Sequence, residues 1–507
     1  MLASVKSATN IGLEVIIVDV EVDIASGLPS LTIVGLPDAA CQEAKDRVRA
    51  AIKNSGFSFP QRRITVNLAP ADIKKEGPAY DLPIALGILA ASGQLFLDAS
   101  RMLLLGELSL DGSLRHTRGI LPMVAKAREA DFTSAFIPSP DAREASLIPG
   151  IDAIPLTSLK ELIEHLQGEK IIPPHKEGLE LEPEVDVAYD CDLAYIKGQE
   201  HAKRALEIAA AGGHNILMIG PPGSGKTMLA RSLPSILPPL DFEEILESTK
   251  IYSIVGLLPP DEPLMRRRPF RSPHYTISQA GLIGGGHTIH PGEVSLAHRG
   301  VLFLDELPEF GHVSLEALRQ PLEDRKVTIS RAQGSLTFPA SFMLVCAMNP
   351  CPCGYYGDQV KECRCSPSDI LRYRKRISGP LLDRIDIFVD VPRVEYEKLS
   401  DDRLGEESRI VSARVKRARD MQRGRFEEKG INLNSEMRPS EVRKFCPLDL
   451  EGKSLLKAAH QRFNFSARGF HRLLKLSCTI ADLDGSDSIL PHHLAEAIQY
   501  RSTLELT

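Results

Sequence analysis

The chain has 507 residues, 43% of them hydrophobic and 25% charged, which excludes a disordered protein and predicts several globular domains. Its formal net charge is −6, so any contact with nucleic acid requires a local basic surface. Residues 1–10 lack the apolar core of a signal peptide, and no apolar run reaches the roughly 20 residues that span a bilayer. We therefore expect a cytoplasmic protein without membrane contact, whose nine cysteines are reduced thiols or metal ligands.

Residues 1–167 alternate short strand-like runs with helical stretches. The strand-like runs are 13–22, 31–34, 64–68 and 102–105, and the helical stretches are 39–54, 83–92 and 120–130. Such alternation predicts a mixed α/β domain over 1–167. Residues 168–189 are rich in Pro, Glu, Lys and Gly and show little apolar periodicity, which predicts a linker.

The next predicted domain, residues 190–400, opens with a phosphate-binding motif. An apolar run at 215–219 is followed by Gly220, Pro221, Pro222, Gly223, Ser224, Gly225, Lys226 and Thr227, and a helix is predicted from Met228. A strand, a glycine loop and a helix in this order are the context that a P-loop requires. Its backbone N–H groups would cradle the phosphates of ATP, Lys226 would contact the β- and γ-phosphates, and the Thr227 hydroxyl would bind Mg²⁺.

Two further strand-like runs in this domain, 300–304 and 341–348, are each followed by polar residues. Strands separated by helices predict a parallel sheet that binds its ligand at the carboxyl edge. At this edge Asp305 would hold Mg²⁺, and Glu306 would orient or deprotonate the attacking water. Asn349 would contact the γ-phosphate or that water, as the first sensor residue does in ring ATPases, although an Asn before a proline also suits a simple turn.

Arg384 stands between a predicted turn and a predicted strand at 387–391. It would suit an arginine finger, which stabilises charge on the transferring phosphoryl group, but a surface salt bridge explains it equally well. Beyond it, residues 401–507 are predicted to be helical at 406–429, 439–446, 448–463, 467–483 and 491–504. Arg468 lies in the first turn after a serine N-cap and is our candidate for a second sensor, with Arg472 in reserve.

Together these residues resemble an AAA+ ATPase of the magnesium-chelatase-like clade, and more closely the bacterial ComM/YifB family. The resemblance covers nearly the whole chain. It rests on long motifs at 196–199 (IKGQ), 209–215 (AAAGGHN), 270–274 (FRSPH), 291–298 (PGEVSLAH) and 349–354 (NPCPCG). Family membership implies a homo-hexameric ring with ATP at the subunit interfaces, Arg384 acting in trans, and a C-terminal helical lid over 401–507.

The same clade inserts hairpins into the central channel of the ring. Residues 326–337 read independently as a hairpin, with alternating residues and a glycine near the tip. In similar ring helicases a basic residue at this place touches the DNA backbone, so the resemblance makes Arg331 a candidate phosphate ligand, with a plain surface arginine as the alternative. A second insertion is predicted at 279–288, where the glycines 284–286 would form a mobile turn.

The N-terminal domain resembles the Lon-type protease domain, which also occurs as a non-proteolytic module in the bacterial recombination protein RadA. The matching motifs are 75–79 (KEGPA) and 106–112 (GELSLDG). In active Lon the nucleophilic serine follows Gly-Pro, and here Ala79 stands in that position. The lysine base would fall near Leu121, and Lys126 is the nearest lysine. We therefore expect a structural or interaction platform and not a peptidase.

Four cysteines, Cys351, Cys353, Cys363 and Cys365, fall within fifteen residues. Four thiolates can complete a tetrahedral Zn²⁺ site, although C-x-C pairs are tighter than the usual C-x₂-C knuckles. Free reduced thiols and a redox pair remain alternatives. The other five cysteines are scattered and are expected to be packing residues.

Basic residues concentrate in two places, 403–425 and 266–268. The first is either a DNA-facing surface or a solvated helix face, because acidic residues are interspersed, and the second is a candidate channel lining. The whole pattern predicts an ATP-driven ring motor with ATP and Mg²⁺ as cofactors. The resemblance implies that its partners are single-stranded or branched DNA and recombination proteins. It also implies helicase or branch-migration activity during recombination and natural transformation. A magnesium-chelatase-type motor, an ATP-dependent protease or protein remodelling factor, and a nucleotide-gated scaffold are the alternatives.

Overall fold

The computed structural model describes residues 2–502, except positions 76, 97, 177–190, 260–261, 287–288, 332–333, 401–402, 428–429 and 464. Over these residues the chain forms two compact units. The first is the described part of Met1–Pro183 together with Ile245–Met265, and the second is the described part of Glu184–Glu244 and Arg266–Thr507. Most of the predicted linker 168–189 lies outside the described residues.

The first unit is built on a seven-stranded mixed sheet. The strands of this sheet are β1 (Leu2–Ile11), β2 (Glu14–Ala25), β3 (Ser30–Val34), β4 (Arg63–Ala69), β5 (Met102–Leu104), β8 (Ser134–Pro138) and β9 (Asp152–Leu156), and β6 (Glu107–Leu108) and β7 (Leu114–Arg115) form a separate short pair. The order across the sheet is β3-β4-β2-β1-β5-β8-β9. β2 is antiparallel to both β1 and β4, and the other neighbours are parallel. Alternate residues of β2 and β4 enter the core, as the two-residue period of a strand requires.

Helices cover this sheet and complete its core. The helices within Met1–Pro183 are α1 (Ala39–Asn54), α2 (Asp81–Ala91), α3 (Ile120–Glu129), α4 (Ala142–Ala145) and α5 (Leu159–Leu166). The helix α2 is apolar on all sides and almost wholly buried, as expected for a helix without a solvent face. The helix α1 begins after Asp38, whose carboxylate accepts from the backbone N–H of Cys41. The prediction of a mixed α/β fold is confirmed, whereas β1 was not predicted.

The second unit contains a five-stranded parallel sheet. The described strands of this unit are β10 (Ile216–Ile219), β11 (Phe270–Arg271), β12 (Gly284–Gly285), β13 (His290–Pro291), β14 (Val301–Leu304), β15 (Lys326–Arg331), β16 (Gly334–Pro339), β17 (Met343–Met348) and β18 (Ile387–Asp390). The parallel sheet has the order β11-β14-β17-β10-β18, and the other strands form two separate hairpins. Every residue of β14 and β17 is buried, which is typical of central strands covered on both faces. The predicted parallel sheet is confirmed.

The remaining helices lie around this sheet and in the C-terminal region. They are α6 (Glu200–Gly212), α7 (Lys226–Ile236), α8 (Phe242–Val255, which belongs to the first unit from Ile245 onward), α9 (Gln279–Ile283), α10 (Glu293–Leu296), α11 (His312–Ala317), α12 (Arg319–Asp324), α13 (Pro367–Arg374), α14 (Gly379–Leu382), α15 (Tyr396–Leu399), α16 (Ser408–Arg425), α17 (Pro439–Phe445), α18 (Leu450–Phe463), α19 (Ala467–Asp484) and α20 (Pro491–Ser502). One hydrophobic cluster joins the sheet, α6, α7 and the C-terminal helices. The helical C-terminal region is therefore confirmed and shares its core with the sheet. Among the described helices, none combines the length and apolar character that crossing a bilayer requires.

Candidate nucleotide site

The P-loop connects β10 to α7 at the carboxyl edge of the parallel sheet. Gly223 and Gly225 have φ angles of 75° and 94°, in the left-handed region that glycine adopts readily. Gly220 leaves no room for a side chain, since a Cβ there would lie 2.1 Å from the carbonyl oxygen of Val391. The helix begins at Lys226, two residues before the predicted start, so its N-terminus follows the loop directly. This geometry suits an anion held by backbone N–H groups.

Lys226 is buried beneath this loop. Its Nζ donates to the carbonyl oxygens of Gly220 at 2.7 Å and Pro221 at 2.9 Å, and it lies 3.4 Å from Oδ1 of Asn349. Burial lowers the pKa of Lys226, and the carboxylates that follow β14 oppose that shift. The ammonium therefore stands at the loop with neutral oxygens as its partners, which a phosphate oxygen could replace.

The side chains proposed for Mg²⁺ meet beside the loop. The Thr227 hydroxyl donates to Oδ2 of Asp305 at 2.8 Å, and the backbone N–H of Glu306 donates to Oδ1 of Asp305 at 3.0 Å. A hydroxyl and a carboxylate are the oxygen ligands that Mg²⁺ prefers, so these two residues fit the ion. Glu306 has a φ of 53° and is exposed, so a left-handed turn presents its carboxylate to solvent.

Arg384 and Arg468 lie together at a second place, around Glu323. Nη2 of Arg384 lies 2.6 Å from Oε1 of Glu323, and Nη2 of Arg468 lies 2.9 Å from the same oxygen. Burial would raise the pKa of Glu323, but the two arginines lower it overall. The reserve candidate Arg472 is instead tied to Asp386, with Nη1 donating to Oδ1 at 3.0 Å. Sequence reasoning missed Glu323, because nothing in its local sequence distinguishes it from other surface acids.

The hairpin predicted at 326–337 is present as β15 and β16, paired from Lys326 opposite Pro339 to Arg331 opposite Gly334. Cross-strand hydroxyl contacts support it, including Thr328 with Thr337 at 3.2 Å. The side chain of Arg331 and the tip at 332–333 lie outside what the structure describes, so the role of Arg331 stays a prediction. The second predicted insertion, 279–288, begins with α9 and β12, and its last two residues are likewise not described.

Part of the basic run 403–425 points inward. Arg414 pairs with Glu207 and Glu406, Arg419 donates twice to the Ala210 carbonyl, and Arg425 pairs with Asp482. These three arginines therefore hold α16 against its neighbours and do not form a DNA-facing surface. Likewise Arg268, one of the three arginines considered as a channel lining, is buried and pairs with Glu244 at 3.0 Å, whereas Arg266 and Arg267 are exposed.

The four clustered cysteines converge in the loop after β17. Cys351 Sγ lies 3.4 Å from that of Cys353 and 3.7 Å from that of Cys363, and Cys353 Sγ lies 3.6 Å from Cys363 Sγ. All four sulfur atoms, including that of Cys365, fall within 4.8 Å of one another. A disulfide needs sulfur atoms about 2.05 Å apart, so these are free thiols. Four converging sulfurs are the donor set of a structural zinc site, and the residues therefore fit that ion.

In the first unit, neither a serine nor a lysine stands at the two positions where a Lon-type protease has its catalytic serine and lysine. Ala79 is buried in a short helical turn, and Leu121 is buried in α3. Lys126 pairs with Glu129 at 3.0 Å on the surface of the same helix. A methyl group cannot act as a nucleophile, so these positions do not supply peptidase chemistry.

Comparison with known proteins gives consistent matches along the chain. Residues 192–399 match a family described as "Magnesium chelatase, subunit ChlI", residues 20–141 match "Subunit ChlI of Mg-chelatase", and residues 405–501 match "Magnesium chelatase, subunit ChlI C-terminal". Competence protein ComM of Haemophilus influenzae is 43% identical over 518 residues, which cover 100% of this chain and 98% of that protein.

Two other relatives match the chain over different lengths. The uncharacterized protein YifB of Escherichia coli is 44% identical over 506 residues, which cover 99% of this chain and 97% of that protein. DNA replication licensing factor Mcm2 of Drosophila melanogaster is 23% identical over 260 residues, which cover 48% of this chain and 26% of that protein. The full-length matches place the whole chain, and not only its P-loop region, within one family.

Proposed function

This chain belongs to the ComM/YifB group of the magnesium-chelatase ChlI family of AAA+ ATPases, and from that premise we propose that it is an ATP-hydrolysing ring motor that acts on DNA. The observation that carries the proposal is the contact between Thr227 and Asp305 beside Lys226. It brings the phosphate-binding loop and the predicted Mg²⁺ ligands of one chain into a single site. Full-length similarity to a competence protein supports a role in competence, and helicase or branch-migration activity is the finer form of that role that we propose.

In this proposal the chain's own residues divide the work of ATP hydrolysis. The P-loop amides and Lys226 bind the phosphates, and Thr227 and Asp305 would hold Mg²⁺, which neutralises charge on the β- and γ-phosphates when bound. Glu306 takes the proton of the attacking water, and Asn349 orients that water or the γ-phosphate. Each role needs its residue at the carboxyl edge of the parallel sheet, where these side chains lie.

We propose that Arg384 and Arg468 serve the nucleotide of a neighbouring subunit in a homo-hexameric ring. The support is their shared position on Glu323, which groups them as one pair of cations. Charge from such a pair would stabilise the transferring phosphoryl group of the ATP that the neighbouring subunit binds. Arg468, the second sensor, would then act on the neighbouring subunit together with the arginine finger Arg384. The sequence predicted action in trans for Arg384 only.

DNA is the proposed substrate of the motor's movement, and the hairpin of β15 and β16 is the proposed contact. Two observations support this: a hairpin is present where the family resemblance expects it, and the relatives include a competence protein and a DNA replication licensing factor. Arg331 would bind a backbone phosphate, and hydrolysis would move the hairpin and the strand with it. Recombination proteins are the partners that such work implies, and the cytoplasm is the proposed location.

The test is whether DNA changes ATP turnover by the purified chain. We expect hexamers in the presence of nucleotide, and faster hydrolysis with a four-way junction than with linear duplex or with no DNA, all at one fixed salt concentration because phosphate contacts are salt-dependent. A chain that stays monomeric with nucleotide, and whose turnover no polynucleotide alters, contradicts the proposal.

A chelatase-type motor remains the alternative that the family name favours. Because residues 20–141 match a family described as ChlI, the N-terminal unit does not separate the two functions. Pull-down of a porphyrin-handling partner, with no effect of DNA on turnover, would favour the alternative. Degradation of casein would favour a protease, which the buried Ala79 argues against, and ATP binding without measurable turnover would favour a scaffold.

A further inference from the structure

We propose that Zn²⁺ held by Cys351, Cys353, Cys363 and Cys365 clamps the loop after Asn349 against the P-loop, so that metal occupancy sets the rate of ATP turnover. The rate effect rests on the proposed ATPase function, whereas the clamp itself does not. A zinc site was one of three interpretations of these cysteines from the sequence. The contact between their loop and the nucleotide site is seen only in the structure.

The four sulfur atoms have the spacing of a tetrahedral zinc site. In a tetrahedral site with Zn–S bonds of about 2.3 Å, neighbouring sulfurs stand about 3.8 Å apart. Three of the sulfur–sulfur separations in the structure, 3.4, 3.7 and 3.6 Å, lie close to that value. Four protein ligands leave no open position, so the ion would be structural and not catalytic.

The path along the chain from the first metal ligand to Asn349 is short. Cys351 follows it by two residues and is fully buried. The backbone N–H of Gly354 donates to the carbonyl of Cys351 at 3.0 Å, which closes a tight turn between the first two ligands. Fixing the sulfur of Cys351 therefore restricts the backbone that positions the Asn349 amide, which lies 3.4 Å from Nζ of Lys226.

This turn also contacts the P-loop directly. Gly354 has a φ of 86°, and a Cβ at this position would lie 2.6 Å from Cδ of Pro222. The turn is therefore packed against the P-loop so closely that only a glycine fits. Movement of the turn would therefore change its contact with Pro222 of the phosphate-binding loop as well as the position of Asn349.

The second pair of ligands lies at the other end of the loop. Cys363 and Cys365 lead directly into α13, whose N-cap is Ser366. Near the end of that helix, Nε of Arg374 donates to the carbonyl of Pro350 at 3.3 Å. One ion would thus tie together the beginning and the end of this segment.

The consequence is a separation between binding and turnover. Lys226 and Thr227 lie on α7, and β10 and α7 hold the two ends of the P-loop. Loss of the ion should therefore loosen the contact at Pro222 without displacing these phosphate ligands, and ATP affinity should stay within about threefold. Displacement of Asn349 by even 1 Å should lower turnover by about tenfold or more, because reaction rates depend steeply on the geometry of orienting groups.

The experiment compares Cys363→Ser and Cys365→Ser with Cys191→Ser, a cysteine outside the cluster. We expect about one Zn per chain in the unaltered protein and in the Cys191 variant, and much less in the other two. We also expect faster hydrogen exchange at 349–358 and slower ATP turnover in the two cluster variants, with ATP affinity retained. Metal removal from the unaltered protein by a chelator, followed by Zn²⁺ addition, should produce and reverse the same changes even if a variant folds poorly.

Each failure has a distinct meaning. Protein purified under reducing conditions without zinc overturns the site. Loss of zinc with unchanged hydrogen exchange at 349–358 overturns the clamp, and faster exchange with unchanged turnover overturns its control of the rate. If the unaltered protein hydrolyses no ATP with or without DNA, the proposed function fails, and zinc content and hydrogen exchange still decide the clamp.

Discussion

Arg384 and Arg468 contact the same atom, Oε1 of Glu323, at 2.6 Å and 2.9 Å. The two arginines come from distant parts of the chain, one before β18 and the other in the first turn of α19. The side chain of Arg384 is 5% exposed and that of Arg468 is 59% exposed, so one is anchored and the other faces outward. Two cations that share one carboxylate form a ready pair for a more strongly charged anion such as a triphosphate.

This pairing predicts that Arg384 and Glu306 can complement one another between subunits. Arg384→Ala and Glu306→Gln should each abolish turnover alone, whereas an equal mixture of the two proteins should regain part of it. On random assembly, roughly a quarter of the interfaces would combine an intact Glu306 with an intact Arg384. ATP hydrolysis measured across mixing ratios checks this expectation.

The control mixes each variant with itself at the same total concentration. If the mixture shows no more activity than the separate variants while native mass measurement shows mixed rings, then Arg384 acts within its own chain. Arg468→Ala mixed with Glu306→Gln tests the second arginine in the same way.

Glu306→Gln should separate binding from hydrolysis. A neutral amide of similar size keeps the shape of the site but cannot accept a proton, so we expect ATP binding to persist and turnover to fall by about 10²–10⁴-fold. Glu309→Gln is a matched control, because Glu309 is a nearby acid paired with Arg376 at 2.8 Å. Near-normal turnover in the Glu306 variant would remove that residue from the proposed role.

The convergence of the P-loop, Asp305 and Asn349 was predictable because its signals are local. The P-loop, Asp305 and Asn349 each follow an apolar run, and the rule that parallel strands share one carboxyl edge brings them together. Their catalytic roles remain predictions. Glu323 was not predictable, because Arg384 follows α14 and Arg468 begins α19, and both reach Glu323 only through tertiary packing.

The misses in the fold have similar causes. The strand β1 (Leu2–Ile11) buries small and polar residues such as Ser7, whose hydroxyl donates to the Leu104 carbonyl at 3.0 Å, so it lacks the apolar alternation of a recognisable strand. The grouping of Ile245–Met265 with the first unit also escaped sequence analysis, since it depends on contacts far apart in the chain, such as that of Ser253 with Glu144.

Arg331→Ala should weaken DNA binding in a salt-dependent way. Loss of one phosphate contact should reduce the slope of log affinity against log salt by about 0.7–0.9, because fewer counterions are released. Lys160→Ala is the control, since Lys160 is an exposed lysine of the first unit paired only loosely with Glu164, at 3.7 Å. Equal slopes for the Arg331 variant and the unaltered protein would exclude a phosphate contact at this residue.

Asp386→Asn should destabilise the second unit. Oδ2 of Asp386 accepts from the backbone N–H of Asn215 at 3.1 Å, and Oδ1 accepts from Arg472 at 3.0 Å, close to His214. Removing the charge of a buried, paired carboxylate should cost about 3 kcal/mol, because the arginine is left without its counter-charge. Hydrogen exchange of β10 at rising urea concentrations reports on this unit and provides the measurement.

The same variant tests a pH dependence. Burial would raise the pKa of Asp386, but Arg472, His214 and the Asn215 N–H together hold it well below its usual value. A carboxylate with a depressed folded-state pKa stabilises the fold above its unfolded pKa of about 3.9, and that contribution is lost as the pH falls further toward the folded value. The stability gap between the unaltered protein and Asp386→Asn should therefore stay constant from pH 7 to about pH 5 and narrow below about pH 4. Asp420→Asn, at an exposed position on α16, should show no such gap, and a gap that is unchanged at pH 3 would exclude the ion pair as its cause.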